Sequence, residues 1–277
     1  MLKKVLFLFF HLLRRQIGKV IFVNYFNKVD NVGDQINIEI VKHYTGKRAV
    51  NAPGIQRFRH GLIVGSIVHT ANKNSVIIGS GVIHPSKLKD QPQLGEISAL
   101  RGELSKNAIE KALGRAISVP LGDPALLMPR IFNPPISGAK YNFGVVLHYA
   151  DFSESALEVI KASGGKVILV SQPPKKFIEE LVSCHYILSS SLHGLILADA
   201  YNVPNKWIVL SDDVYGNGFK FKDYYSTTNS PNEKAIHLEK SNFCEFLEIA
   251  RDLVSVKKFN GDLDELDATV KRSLDQL

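Results

Sequence analysis

Short apolar runs alternate with amphipathic stretches along the whole chain, and this alternation predicts most of its elements. Lys19 to Tyr25 reads as a strand. Asn31-Val32-Gly33-Asp34 reads as a turn carrying an N-cap residue, and Ile36, Ile40, Val41 and Tyr44 then recur at helical spacing. Leu62 to Val64 and Ser75 to Ile78 are continuous apolar runs that end in small residues, Gly65-Ser66 and Gly79-Ser80-Gly81. Ser105 to Leu113 reads as a helix with Ser105 as its cap. Apolar strands that do not alternate, separated by helices, are what a parallel sheet covered on both faces requires, so the pattern predicts an α/β fold.

The rhythm breaks at Pro129 to Gly138, a stretch with three prolines and a glycine, and then restarts. Phe143 to Leu147, Lys166 to Val170, Tyr186 to Leu188 and Trp207 to Leu210 read as strands. Glu154 to Ala162, Lys175 to Ser183 and Leu192 to Tyr201 read as helices, the last stopped by Asn202 and Pro204. Asn242 with Glu245 suggests a capping box ahead of the stripe Phe243, Phe246, Leu247, Ala250, Leu253, Val254. The expected organisation is an amino-terminal helix over 1–17, an α/β domain over 18–130, a linker over 131–138, and a second α/β domain with carboxyl-terminal helices over 139–277. Two such halves would leave a central cleft between them, where ligands usually bind.

The segment Met1 to Arg15 has an apolar run, Val5 to Phe10, of six residues. A spanning helix needs roughly 20, and a signal peptide needs a longer apolar region and a cleavage site. Leu2, Val5, Leu6, Phe9, Leu12 and Leu13 form a helical stripe flanked by Lys3, Lys4, Arg14 and Arg15. Two readings stay open: a terminal helix packed on its own protein or a partner subunit, and an amphipathic foot on a membrane surface.

Composition narrows the function classes. The chain has 277 residues, 45% hydrophobic and 22% charged, which fits a globular protein and argues against disorder. The net charge of +7 is spread out, with no run of Lys or Arg longer than two, so nucleic acid is not the expected partner. An anionic small substrate or an anionic membrane surface fits the excess equally well. Cys184 and Cys244 lie far apart without metal spacing and suit a reducing compartment. No Walker loop and no metal-ligand cluster is present in the sequence.

Tyr186 to Pro204 carries the most chemistry. A strand runs into Ser189, Ser190 and Ser191, then Leu192-His193-Gly194 opens a helix. Hydroxyls and unpaired N–H groups at a helix start favour an anion. His193 would stand beside it, and Gly194 would allow close approach. Asp123, held extended before Pro124, could accept a substrate proton; a turn aspartate is the plainer explanation. Arg101, just ahead of a helix, suits a bidentate grip on carboxylate or phosphate, or a surface pair with Glu103. His148 lies at the carboxyl end of a strand. Gly218 to Tyr225 alternates with period two, which predicts a strand with Lys220 and Lys222 on one side.

Taken in order, these segments resemble the polysaccharide pyruvyl transferase family, in its branch acting in bacterial exopolysaccharide synthesis. The matching pieces are Asn31-Val32-Gly33-Asp34, Val64-Gly65-Ser66-Ile67, Gly79-Ser80-Gly81, Arg101 to Ser105, Leu121 to Leu127, His148-Tyr149-Ala150-Asp151, Ser189 to Gly194 with Ala198 to Tyr201, and Phe219 to Tyr225. The resemblance implies two Rossmann-like domains in a GT-B-like fold. It implies an enzyme that moves the enolpyruvyl-derived unit of phosphoenolpyruvate onto two hydroxyls of a sugar, forming a pyruvate ketal. No cofactor enters that scheme, because phosphoenolpyruvate is itself the donor substrate. The acceptor would be a surface polysaccharide or its lipid-linked precursor, the compartment the cytoplasm, with peripheral contact at the inner membrane.

The implied catalytic residues are His193 as acid/base, Asp34 or Asp123 for the sugar hydroxyl, and His148 as alternative acid. The implied binding residues are Gly33, Ser80, Arg101, Ser189, Ser190, Ser191, Gly194, Lys220 and Lys222. Many family members carry arginine two residues before the histidine that corresponds to His193. Here that position is Ser191, which leaves Arg101, Lys220 or Lys222 to supply the cation. Two rivals share these features: a GT-B glycosyltransferase with a nucleotide-sugar donor, and a non-catalytic polysaccharide assembly protein.

Overall fold

The computed structural model describes residues 11–12, 14–15, 18–135, 138–148, 151, 154–210, 216–238 and 243–277. Most of the predicted amino-terminal helix, Tyr149-Ala150 and the Asn242 cap lie outside these residues. The chain forms two compact units. One holds the described residues up to Lys28 with Gly33–Pro124 and Asn260–Leu277, and the other holds Val29–Val32 and Ala125–Phe259.

The first unit contains β1 (Val20–Phe22), α1 (Val32–Thr45, which it takes over from Gly33), β2 (Arg48–Val50), β3 (His60–Leu62), β4 (Ser75–Ile78), β5 (Glu96–Ala99) and α2 (Glu103–Leu113). β1 pairs in parallel with β2, and β4 pairs in parallel with both β3 and β5. A parallel bridge from Val23 to Gly61 sets β1 beside β3, and the Asn24 N–H donates to the Gly61 carbonyl at 2.8 Å. The resulting strand order is β2-β1-β3-β4-β5. β1, β3 and β4 are buried throughout, as strands covered on both faces must be.

The second unit contains α3 (Met128–Ile131), β6 (Gly144–Leu147), α4 (Glu154–Ala162), β7 (Lys166–Leu169), α5 (Pro174–Val182), β8 (Ile187–Ser189), α6 (Leu192–Ala200), β9 (Asn205–Val209), α7 (Phe219–Tyr225), β10 (Ile236–His237) and α8 (Phe243–Leu253). All its strands are parallel, in the order β7-β6-β8-β9-β10. Both units therefore repeat one doubly-wound order, second-first-third-fourth-fifth. In this order the connections leave in opposite directions between the first and third strands, and ligands favour the carboxyl side of that point.

Three expectations change. Residues 260–277 do not extend the second domain. They form α9 (Leu263–Asp275), capped by Asp262 and packed on β4 and β5 of the first unit. Its Leu266, Val270 and Leu274 are fully buried, so the stripe covers a sheet face that would otherwise meet water. The expected linker over 131–138 also begins too late as a boundary. Ala125, Leu127 and Met128 are already core residues, and the Tyr201 hydroxyl donates to the Phe132 carbonyl. Finally, Ser105 is not a helix cap. Gly102 holds that position, and Ser105 Oγ accepts the Val82 N–H at 2.8 Å.

Of the amino-terminal segment, residues 11, 12, 14 and 15 are helical, His11 is buried, and Leu12 packs beside the cluster around Phe22 and Val50. The Arg15 guanidinium lies 4.9 Å from the Phe22 ring centre and donates to the Leu277 carbonyl at 3.1 Å. This end of the segment packs on its own unit. No helix among the described residues is long and apolar enough to cross a membrane.

Candidate active site

In the second unit, β6 and β8 flank the point where the strand order reverses, and both deliver site residues at their carboxyl ends. His148 follows β6 directly. Its N–H donates to Ser190 Oγ at 2.9 Å, and the Ser190 N–H donates to the Val146 carbonyl at 3.1 Å. Ser189 closes β8 and is wholly buried. Its Oγ accepts the Ser191 N–H at 3.0 Å and lies 2.8 Å from the Ser191 carbonyl. The first two serines are thus committed to shaping the turn. The donors that remain for an anion are Ser191, in extended conformation at the N-cap of α6, and the backbone N–H groups of the first turn.

Gly194 sits where β6 and the turn come closest. A Cβ there would stand 2.8 Å from Val146 Cγ1 and closer still to Ser189 Oγ. His193 is partly exposed on the first turn of α6. His148 is only 7% exposed, and burial, reinforced by the Lys220 charge, pushes its pKa down to about 4. At neutral pH its imidazole is uncharged.

Lys220 and Lys222 do not share a side, because α7 is a helix and not the predicted strand. Residues two apart on a helix point in nearly opposite directions. Phe221 between them is buried and stacks on Trp207 with ring centres 4.4 Å apart. Lys220 is the cation felt by His148. Lys222 instead lines a pocket of about 510 Å³ at the carboxyl ends of β8, β9 and β10, together with Ser190, Trp207, Glu233, Lys234 and His237.

In the first unit the corresponding reversal lies between β1 and β3, and another group of predicted residues gathers on that side. Asp34 Oδ1 accepts the Phe26 N–H at 3.2 Å and lies 4.0 Å from where a Cβ on Gly65 would sit. Gly33 precedes Asp34 in the first turn of α1. Ser80 Oγ donates to the Gly65 carbonyl at 2.7 Å. Gly65 has φ +130°, which a side chain would strain. Asn37 clamps the same end of β3, accepting the Val64 N–H at 3.0 Å and donating to its carbonyl at 3.1 Å.

Two predicted residues are placed differently from expectation. Arg101 is not an open cation. It is wholly buried, donates to Ser66 Oγ at 2.5 Å and to the Val82 carbonyl at 2.9 Å, and fills the space that a side chain on Gly81 would need. Asp123 is likewise fully buried beside the turn that starts at Pro124.

Sequence reasoning left Asp199 without a role. Its Oδ1 accepts Asn205 Nδ2 at 2.6 Å and the Lys257 N–H at 2.7 Å, and its Oδ2 accepts the Tyr224 hydroxyl at 2.8 Å. Burial raises its pKa to about 6 against these hydrogen bonds. It ties α6 to β9, α7 and the backbone at Lys257. No spacing rule signals such a hub, since Tyr224 and Lys257 lie 25 and 58 residues further along the chain.

A family model described as polysaccharide pyruvyl transferase matches residues 31–211. The chain belongs to that family. Among curated proteins it is 25% identical over 269 residues to uncharacterized protein L143 of Acanthamoeba polyphaga mimivirus, covering 91% of this chain and 87% of the viral protein. It is 28% identical over 177 residues to succinoglycan biosynthesis protein ExoV of Rhizobium meliloti (strain 1021), covering 59% of this chain and 52% of that protein. The chain thus matches about half the length of the succinoglycan protein.

Proposed function

We propose that the protein transfers the enolpyruvyl-derived unit of phosphoenolpyruvate to two hydroxyls of one sugar, in a polysaccharide or its lipid-linked precursor, as a cyclic ketal. The observation that carries the proposal is the meeting of His148, the serine turn and the start of α6, which bears His193, at the strand-order reversal of the second unit. Membership of the family supplies the reaction class and the polysaccharide acceptor.

The donor carries a phosphate and a carboxylate. Ser191, the first-turn N–H groups of α6 and the Lys220 ammonium are the groups proposed to receive them. His193 protonates the methylene carbon, and the first sugar hydroxyl adds to the neighbouring carbon while losing its proton to a base. The second hydroxyl then displaces inorganic phosphate and closes the ring. One hydroxyl proton ends on the new methyl group by way of the acid/base pair, and the other leaves with phosphate. His148, uncharged at neutral pH, suits the base role better than the acid role first expected of it. Arg101 and Asp123 are read as buried supports. Use of phosphoenolpyruvate as donor places the proposed reaction in the cytoplasm.

The test is donor binding followed by turnover. Phosphoenolpyruvate is expected to raise the unfolding temperature, and nucleotide sugars alone are not expected to drive transfer. His193→Ala should lower phosphate release roughly 100-fold or more at unchanged unfolding temperature. Full turnover by that variant would remove His193 from the mechanism.

A further inference from the structure

The pocket at the carboxyl ends of β8, β9 and β10 has a different set of lining residues from the turn that opens α6, with Ser190 bordering both. Its inner wall is apolar, with Trp207 and Phe221 stacked at 4.4 Å and 10°. Its mouth is cationic: Lys222, Lys234 and His237 are exposed there. Among the described residues, neither lysine has an ion-pair partner. The nearby carboxylate, Glu233, is already engaged. Its Oε1 lies 2.5 Å from Lys206 Nζ and 3.9 Å from Lys257 Nζ, which neutralises it and leaves Oε2 available to accept a hydroxyl. The volume, about 510 Å³, lies in the range of sites that enclose a whole drug-sized ligand and leaves much of the space unfilled by a three-carbon phosphate.

We propose that this pocket is a second substrate subsite that binds a sugar diphosphate, with the diphosphate on Lys222, Lys234 and His237, the flat face of the ring against the Trp207 wall, and a hydroxyl on Glu233. Two ammonium groups that have no ion-pair partner among the described residues match the charge of a diphosphate. An apolar wall behind them matches the less polar body that a bare phosphate lacks. The anion site stands on these residues alone. Its role as the acceptor's handle rests on the pyruvyl-transfer reading. A diphosphate of this kind is carried either by a polyprenyl lipid or by a nucleoside.

The test is calorimetric titration of the full chain with UDP-glucose, with a farnesyl-diphosphate-linked N-acetylglucosamine, and with phosphoenolpyruvate, each alone and in the presence of the others. Binding of either sugar diphosphate that weakens at least tenfold in Lys222→Ala/Lys234→Ala, with the circular dichroism spectrum unchanged, supports the subsite. A preference for the farnesyl probe assigns a lipid carrier, and a preference for the uridine probe a nucleotide carrier. Wild-type affinity in the double variant overturns the proposal, as does simple competition by phosphoenolpyruvate for the same site. Loss of phosphoenolpyruvate binding with sugar-diphosphate binding intact would instead overturn the donor reading and leave the subsite standing.

Discussion

A methyl group at Gly194, in the first turn of α6, would stand 2.8 Å from Val146 Cγ1 and closer still to Ser189 Oγ, so a neighbour has to shift. Gly194→Ala is therefore expected to cost about 1–3 kcal/mol, seen as a lower urea midpoint, and to displace the serine turn. His148 offers a second residue-scale test. Its folded pKa of about 4 lies below the unfolded value of 6.5, so between these limits the unfolded chain binds more protons. Its contribution to stability is present above pH 6.5 and is lost as pH falls towards 4, by about 3 kcal/mol at most. Relative to His148→Gln, the wild type should lose stability on acidification through that window in denaturant titrations. Equal slopes for the two proteins would show that His148 is not held neutral by its surroundings. Residue types at the site were legible in the sequence, but burial was not. Arg101 reads as an anion grip from its place before a helix, and only packing shows its guanidinium spent on Ser66 and Val82.

At the scale of elements, continuous apolar runs gave β4 and the core of β6, and helical spacing gave α4 with its observed limits. α7 misled because Phe219, Lys220, Phe221 and Lys222 alternate over too few residues to separate the two periods. The buried set Phe221, Tyr224 and Tyr225 restores helical spacing one turn later. β2 and β5 are short strands with polar or exposed positions, and no apolar run announces them. The elements around the site are held by Asp199, which joins α6 to β9 and α7. Asp199→Ala would remove the carboxylate that accepts the Tyr224 hydroxyl, the Asn205 amide and the Lys257 N–H, and would weaken the compensation of Lys257, an ammonium only 1% exposed. The expected loss is about 3 kcal/mol in chemical denaturation, with Asp199→Asn losing less. An unchanged midpoint in the alanine variant would contradict the hub.

At the scale of the molecule, two units share one strand order, and each gathers predicted site residues beside its own reversal point. The α/β class and the twofold rhythm were readable from the chain. The return of α9 to the first unit was not, because an amphipathic stripe records that a face is buried and not which sheet buries it. A chain ending at residue 259 would expose the face of β4 and β5 that Leu266, Val270 and Leu274 cover. Limited proteolysis of that truncation is expected to cut first within residues 33–124, and equal resistance to the full chain would contradict the packing.

In the proposed reaction, phosphoenolpyruvate gives up its phosphate only as its carbon skeleton joins a sugar. Phosphorus NMR of the full chain with phosphoenolpyruvate and a lipid-linked sugar tests it most directly. The predicted result is conversion of the phosphoenolpyruvate resonance to inorganic phosphate only when acceptor is present, matched by an acceptor that gains a ketal carboxylate in its mass. An unchanged donor resonance with every acceptor, while a nucleotide sugar is consumed under the same conditions, would contradict it.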